Sequence, residues 1–390
     1  MRITFVMESD FSLSGGSRVI ATYARLLQQR GHQVAVISRS GRKPSPKQQL
    51  RSILRGDGWI PTKQQPSHFD HLNIPCKLLK TRRPIVDADL PDADVVIATW
   101  WETAYWVANL RASKGAKAYF VQHHEVFDYL PQEQVAATYR LPLHKIVVAR
   151  WLQDLMRDKY DSNVSLVPNS VDSQQFYAPV RSKQPVPTVG MMYSTTPWKG
   201  TDLMIRAFQI AAEQIPQLRM TAFGSYKPIA TLPLPSNSTF TYRPPQHELR
   251  HYYAGCDAWL FGSRSEGFGL PIVEAMACRT PVIGTPAGTA PDLLSGGAGL
   301  LVPHHDAQAM AQAIIQVCRM SNAEWRSLSQ AAYGKVADYT WEDAADRFEA
   351  VLYQIAENSD NSIPTNQPTI AEPMTDENLP SDHSEAFLSR

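Results

Sequence analysis

A strand, a helix and a second strand occupy the first 37 residues, and that order limits the folds open to the chain. Ile3 to Met7 is a β-type apolar run. The loop Glu8 to Gly16 follows, then a helical pattern from Ser17 to Arg30 with Val19, Ile20, Tyr23, Ala24 and Leu27 on one face. Gly31 suits the left-handed stop after such a helix. Val34 to Ile37 is short and continuously apolar. Strands of that kind are buried on both faces, so this unit predicts an α/β fold with a parallel sheet. Val95–Ala98, Tyr119–Val121, Ile146–Val148 and Val164–Val167 continue the series.

Residues 178–188 hold three prolines, the signature of a linker. Beyond them the alternation restarts. Thr188–Met192 reads as a strand and Thr201–Gln214 as an amphipathic helix. Leu218–Phe223, Ala258–Phe261 and Pro281–Ile283 read as further strands. Two similar halves are the expectation, at residues 1–177 and 188–340, with the ligand site in a cleft between them. A last helix spans 341–357, with Phe348, Val351, Leu352 and Ile355 on one side. Residues 358–390 contain six acidic residues and one arginine, and read as a disordered acidic tail.

Charge narrows the class. Thirty-eight basic residues stand against 37 acidic ones, which excludes a nucleic-acid binder driven by bulk charge. No apolar run approaches the roughly 18 residues of a membrane span. The first residues lack the long apolar stretch of a secretory signal, and Cys76, Cys256, Cys278 and Cys318 show no CxxC spacing. The expectation is a reduced, cytoplasmic protein without structural zinc.

The most informative stretch runs from Ser263 to Ala277. It lies between the strands Ala258–Phe261 and Pro281–Ile283 and contains Glu266, Gly267, Phe268, Gly269, Leu270, Pro271 and Glu274. A strand, a glycine-bearing turn and a helix opened by Pro271 aim first-turn N–H groups and the helix dipole at the carboxyl edge of the sheet. That arrangement suits phosphate. Glu266 and Glu274 beside it suit the hydroxyls of a sugar and a ribose. On these residues alone, Glu274 reads equally well as a solvated helix residue, and the glycines as serving the turn.

Three other clusters stand out. Gln122-His123-His124-Glu125 follows a strand, and no third ligand spacing supports a zinc site there. Trp100-Trp101 follows the strand Val95–Ala98 and suits either stacking on a sugar or filling a core. Arg39 to Arg55 carries six basic residues and no acidic one, which suits either a solvated loop or an anionic membrane surface, with Lys77, Lys80, Arg82 and Arg83 as an extension.

The Ser263–Ala277 stretch resembles the E-x7-E signature of the retaining, nucleotide-sugar-dependent glycosyltransferases of family 4. Other blocks resemble the same family in the same order: Gly15-Gly16, Pro168 to Asp172 with Phe176, Lys199-Gly200 before Ala207-Phe208, Gly288 to Asp292, and Gly299 to Val302. The resemblance covers roughly 1–357 and implies the GT-B fold, two Rossmann-like domains facing each other across a cleft. It makes the first domain the acceptor domain, the second the donor domain, and 341–357 a helix crossing back to the first.

The resemblance also implies roles. Glu266 contacts the donor sugar and Glu274 the ribose. Gly267, Phe268, Gly269 and Leu270 hold the diphosphate, Lys199 neutralises it, and Gly15 and Gly16 meet the donor from the first domain. His123 lies near the transferring sugar, with His124 as its second choice, and Trp100, Trp101 and His124 face the acceptor. The family places an arginine about six residues before the lysine. Here that position falls near Tyr193, and either Arg264 or Arg243 substitutes or the phosphate grip is weaker. A weaker likeness, in 99–104 and 119–122, is to the rhamnosyltransferases that build surface polysaccharides. The implied activity is a metal-independent, hexosyltransferase-type retaining transfer, with no cofactor, from a nucleotide sugar to a glycan or lipid-linked acceptor. It would take place in the cytoplasm or at the inner face of the plasma membrane. The alternative is a non-catalytic GT-B scaffold, for which the missing arginine speaks.

Overall fold

The computed structural model describes residues 1–9, 11–41, 44–54, 58–59, 66–70 and 72–360. The expected acidic tail therefore lies outside the described residues beyond position 360, as do Arg42, Lys43 and Arg55 of the basic run.

The first half of the chain forms β1 (Arg2–Met7), α1 (Gly15–Gln29), β2 (Gln33–Ser38), α2 (Pro46–Leu54), β3 (Cys76–Leu78) and β4 (Val95–Ala98). It continues through α3 (Trp101–Ala108), β5 (Ala116–Val121), α4 (Gln132–Thr138), β6 (His144–Val147), α5 (Arg150–Tyr160) and β7 (Val164–Leu166). The strands pair in parallel in the order β3-β2-β1-β4-β5-β6-β7. The register Ile3↔Val34 on one side and Ile3↔Val95 on the other puts β1 in the middle, fully buried beyond Arg2. This is why the β1 sequence is apolar without alternation.

The second half forms β8 (Thr188–Met192), α6 (Thr201–Gln214), β9 (Arg219–Gly224), β10 (Ser238–Tyr242), α7 (Leu249–Ala254), β11 (Ala258–Phe261) and α8 (Leu270–Ala277). Then come β12 (Val282–Gly284), α9 (Ala290–Leu293), β13 (Gly299–Leu301), α10 (Ala307–Arg319), α11 (Asn322–Val336) and α12 (Trp341–Asp360). Its sheet is also parallel, in the order β10-β9-β8-β11-β12-β13. Its core packs α6 and α10 against the sheet through Met204, Ala207, Phe208, Met310, Ile314 and Val317.

The chain divides into two units. Among the described residues, one holds Met1–Val147, Gln153–Val167 and Ala345–Asp360; the other holds Val148–Leu152 and Pro168–Ala344. The proline-rich stretch is tied down on the second unit. Arg181 donates to Cys256 O and Thr280 Oγ1 and lies over the Trp325 ring, and Lys183 donates to Met320 O. In the first unit, α12 is held by Phe348 stacked on Tyr23 at 4.3 Å and by Glu349 paired with Arg30 at 2.8 Å and His32 at 2.7 Å.

Arg39 does not belong to an exposed basic patch. It is 3 % exposed, and its guanidinium forms a two-pronged contact with Glu102 at 2.8 and 3.1 Å and a bond to Glu8 at 2.7 Å. Trp106 lies under it at 4.8 Å. The charge is taken inward because two carboxylates, from the end of β1 and the start of α3, converge on it. Three residues of the expected extension are engaged as well. Arg82 reaches Glu8, Arg83 pairs with Asp89, and Lys77 donates to the Asp89 carbonyl.

Candidate active site

Strand order points to where each unit binds. An open parallel sheet offers a crevice at the carboxyl ends of its strands where the chain reverses direction across the sheet. In the second unit that point lies between β8 and β11, and in the first between β1 and β4.

At the second unit's reversal point, the loops after β8 and β11 are locked together. The Arg264 N–H donates to Trp198 O at 2.7 Å. Gly200 adopts φ +65°, and a Cβ there would lie 1.9 Å from Gly262 O, so no other residue fits. The short turn Pro197–Lys199 thereby delivers Lys199 to Glu266, Nζ to Oε1, at 2.6 Å. Ser263 Oγ donates to the same oxygen at 2.8 Å. These groups open on a small recess that is partly open to solvent. It is lined also by Met192, Met204, Phe261 and Pro271, and Lys199 is the cation among its lining residues.

Beside this recess, α8 starts at Leu270, one residue earlier than the sequence suggested, so Pro271 is its second residue. Gly269, at φ +96°, is the cap and offers no side-chain oxygen to the first-turn amides. Gly267 and Phe268 complete the turn. Thr289 fixes it, with its N–H and Oγ1 both on Phe268 O at 2.9 and 2.7 Å.

Glu274 is not a solvated helix residue. It is 4 % exposed and accepts a 2.6 Å hydrogen bond from the Tyr253 hydroxyl on α7. Nor is it among the residues lining the recess that Glu266 and Lys199 share. The two acids of the pair therefore have different partners, a lysine and a phenol. Sequence reading missed Tyr253 because nothing local marks it.

The arginine substitutes are committed elsewhere. Arg264 pairs with Asp202 at 2.6 and 3.0 Å, which holds the Asp202 carboxyl below its ordinary range. Arg243, at φ +47°, donates to Ser225 O and lies over Tyr242 at the far edge of the sheet. Tyr193 is a core residue rather than a donor contact. It is 1 % exposed, and its hydroxyl donates to Leu232 O and accepts from the Ile229 N–H.

At the first unit's reversal point, Gly15 and Gly16 are the opening residues of α1 itself. Ser14 caps the helix by accepting the Ser17 N–H, and the Gln122 amide donates to Gly16 O at 3.3 Å. Trp100 is half-buried, and its N–H is held by Thr103 Oγ1 at the start of α3. Trp101 is 3 % exposed and fills the core, the second of its two expected uses. Its N–H donates to Glu125, a fully buried carboxylate that also accepts from Tyr119. His123 Nδ1 bonds to His124 O, and its ring leans on Phe127 at 4.9 Å. His124 is turned inward to the Tyr160 hydroxyl at 2.7 Å. Burial, helped by the charges of Lys159 and His123, pushes its pKa down to about 4.

Two family models match the chain: Glycosyltransferase Family 4 over residues 13–175 and Glycosyl transferases group 1 over residues 173–335. Among curated proteins, the chain is 38% identical over 103 residues to a D-inositol 3-phosphate glycosyltransferase of Frankia alni (26% of this chain, 25% of that protein). It is 31% identical over 164 residues to the enzyme of that name from Mycobacterium leprae (38% and 37%). To the O-antigen chain mannosyltransferase B of Escherichia coli it is 32% identical over 100 residues (25% and 26%). The chain thus spans between a quarter and two fifths of the length of these relatives. In fold it is similar to a sucrose-phosphate synthase from Thermosynechococcus elongatus, with TM-score 0.69, 19% identity, and 92% and 100% of the two chains covered. It is similar also to Anabaena Alr3699/HepE in complex with UDP and glucose, with TM-score 0.65, 16% identity, and 91% and 100% covered.

Proposed function

Since the chain belongs to the GT-B glycosyltransferases that join a family 4 domain to a group 1 domain, we propose that it moves a sugar, with retention, from a nucleoside diphosphate sugar to a glycan or lipid-linked acceptor. The observation that carries this reading is the Lys199–Glu266 pair at the second sheet's reversal point, beside the uncapped start of α8. A diphosphate laid there meets the turn amides of Phe268, Gly269 and Leu270, the positive end of the helix dipole and a lysine. Lys199 then leaves Glu266, and that carboxylate accepts from the donor sugar's hydroxyls. Glu274 takes the ribose hydroxyls, and His123 stands by the transferring sugar.

In the transfer step, the bond from the sugar's anomeric carbon to the phosphate oxygen breaks, and the acceptor oxygen bonds to that carbon on the same face. The acceptor's proton passes to the leaving diphosphate. Lys199 and the amides stabilise the negative charge developing on that diphosphate, the role in which fixed donors contribute most to catalysis. Lys199 supplies the charge a divalent ion would otherwise bring, so transfer is expected to survive EDTA. The O-antigen mannosyltransferase relative favours a role in surface polysaccharide synthesis.

For the membrane, the candidate surface is α2 without Arg39: Leu50, Ile53 and Leu54 are exposed beside Lys47 and Arg51. No described helix is long and apolar enough to cross a bilayer. A panel of UDP-, GDP- and TDP-sugars, scored for slow donor hydrolysis and for the anomeric form of any product, tests the proposal. Turnover of one class with retention supports it. Failure to bind or turn over any of them favours the scaffold alternative.

A further inference from the structure

Arg264 stands two residues before Glu266, and its bonds bracket Lys199 along the chain. Its main-chain N–H donates to Trp198 O at 2.7 Å. Its guanidinium donates through Nη1 to Pro197 O, and through Nη1 and Nη2 to the Asp202 carboxylate at 3.0 and 2.6 Å. The segment that carries Lys199 is thus tied on both sides to the residue that leads into Glu266. A third loop joins them. After β13, His305 turns through a left-handed φ of +61°, uncommon for a residue with a side chain, and its Nδ1 accepts from Arg264 Nε at 3.3 Å.

The choice of arginine matters. Its planar fork spans a carboxylate with two donors and still has N–H groups for Pro197 O and His305, which the point charge of a lysine cannot match. Lys199, by contrast, carries its charge on a flexible four-carbon stem. Once a diphosphate draws it from Glu266, the 2.6 Å pair no longer holds the ammonium, and the turn beneath it decides its reach. A misplacement of about 1 Å at such a group can cost on the order of a hundredfold in rate.

We propose that Arg264 is a positioning residue: it fixes the turn that carries Lys199 and so sets where the lysine meets the leaving diphosphate. The proposal rests on the donor site described above and adds to it a residue that acts through Lys199 rather than on the donor.

Arg264→Lys, which keeps the charge and loses the fork, tests it in two backgrounds. Affinity for UDP, GDP and TDP is measured by calorimetry, or by ligand-observed NMR where binding is millimolar. For whichever nucleotide binds, Arg264→Lys should weaken affinity about 5- to 20-fold, part of what a charged donor contributes. In a Lys199→Met background the same substitution should change affinity by less than about twofold, because the group it positions is gone. With the matching sugar donor, among UDP-glucose, GDP-mannose and TDP-glucose, kcat of Arg264→Lys should fall a further 10- to 100-fold or so. If Arg264→Lys does not fold, Asp202→Asn, which weakens the fork from its other end, should show the same dependence on background at smaller size. A loss of equal size in both backgrounds overturns the proposal and spares the donor site, as does wild-type affinity and kcat in Arg264→Lys. A Lys199→Met variant that binds nucleotide like the wild-type protein removes the lysine from the diphosphate and overturns both readings, as does a wild-type protein that binds no nucleotide.

Discussion

Lys199→Met and Glu266→Gln should move nucleotide binding in opposite directions. The pair is close, at 2.6 Å, but its side chains are 27 % and 12 % exposed. Screening at that exposure leaves it worth about 0–1 kcal/mol to folding. Lys199→Met should therefore lower the melting temperature by only a few degrees, since Glu266 keeps Ser263 at 2.8 Å. For a bound diphosphate the loss is larger. A hydrogen bond from a charged donor is worth about 1.5–3 kcal/mol, so nucleoside diphosphate affinity should fall roughly 10- to 150-fold. Donor turnover should fall by a further factor of about 100–1,000, the typical effect of removing one donor from a developing anion. In Glu266→Gln the lysine is released from its partner. Nucleoside diphosphate should then bind as tightly as before or up to about fivefold more tightly, while sugar transfer drops. Titration with the nucleotide alone, initial rates with the sugar donor, and melting curves separate these effects. Nucleotide affinity unchanged within about twofold in Lys199→Met, or reduced equally in both variants, would refute the reasoning.

Gly200→Ala would force a Cβ to within 1.9 Å of Gly262 O at φ +65°. We expect a loss of more than about 2 kcal/mol in urea unfolding, with weakened nucleotide binding as Lys199 shifts. Arg39→Met removes the buried guanidinium that Glu8 and Glu102 share and should cost about 3–5 kcal/mol; a melting temperature within a degree or two of wild type would contradict the buried pairing. His124 titrates near 6.5 when unfolded and near 4 when folded. Between those values the unfolded chain binds a proton that the folded one does not, so stability falls as pH drops from about 6.5 to about 4. Unfolding free energies across that window should carry a slope that His124→Gln loses, and identical slopes would show that His124 is not held neutral.

The sequence was most legible where a segment's pattern is complete in itself. Thr201–Gln214 is a helix to the residue because Leu203, Met204, Ala207, Phe208 and Ala211 mark one face without outside help. The strand Ser238–Tyr242 escaped notice because it lies at the sheet's edge, where no apolar run is required. Two helices could have been found. Asp306 caps α10 by accepting the Ala309 N–H, and Ser321 with Glu324 forms a capping box at α11. At the site, Lys199 and Glu266 each stand in a local motif. Their pairing spans 67 positions and depends on the Gly200–Gly262 approach. Arg39 misled for the same reason. Its charge is visible in the chain, but its partners lie 31 and 63 positions away. Tyr253 and Glu274, 21 positions apart on different helices, share no periodicity that would connect them.

A crystal structure with the tightest-binding nucleoside diphosphate tests the central claim most directly. The account places a phosphate oxygen within roughly 3 Å of Lys199 Nζ and of the turn amides around Phe268, Gly269 and Leu270. It also expects the Lys199–Glu266 separation to exceed the 2.6 Å found here. Nucleotide bound at another place, with Lys199 still on Glu266, would contradict it.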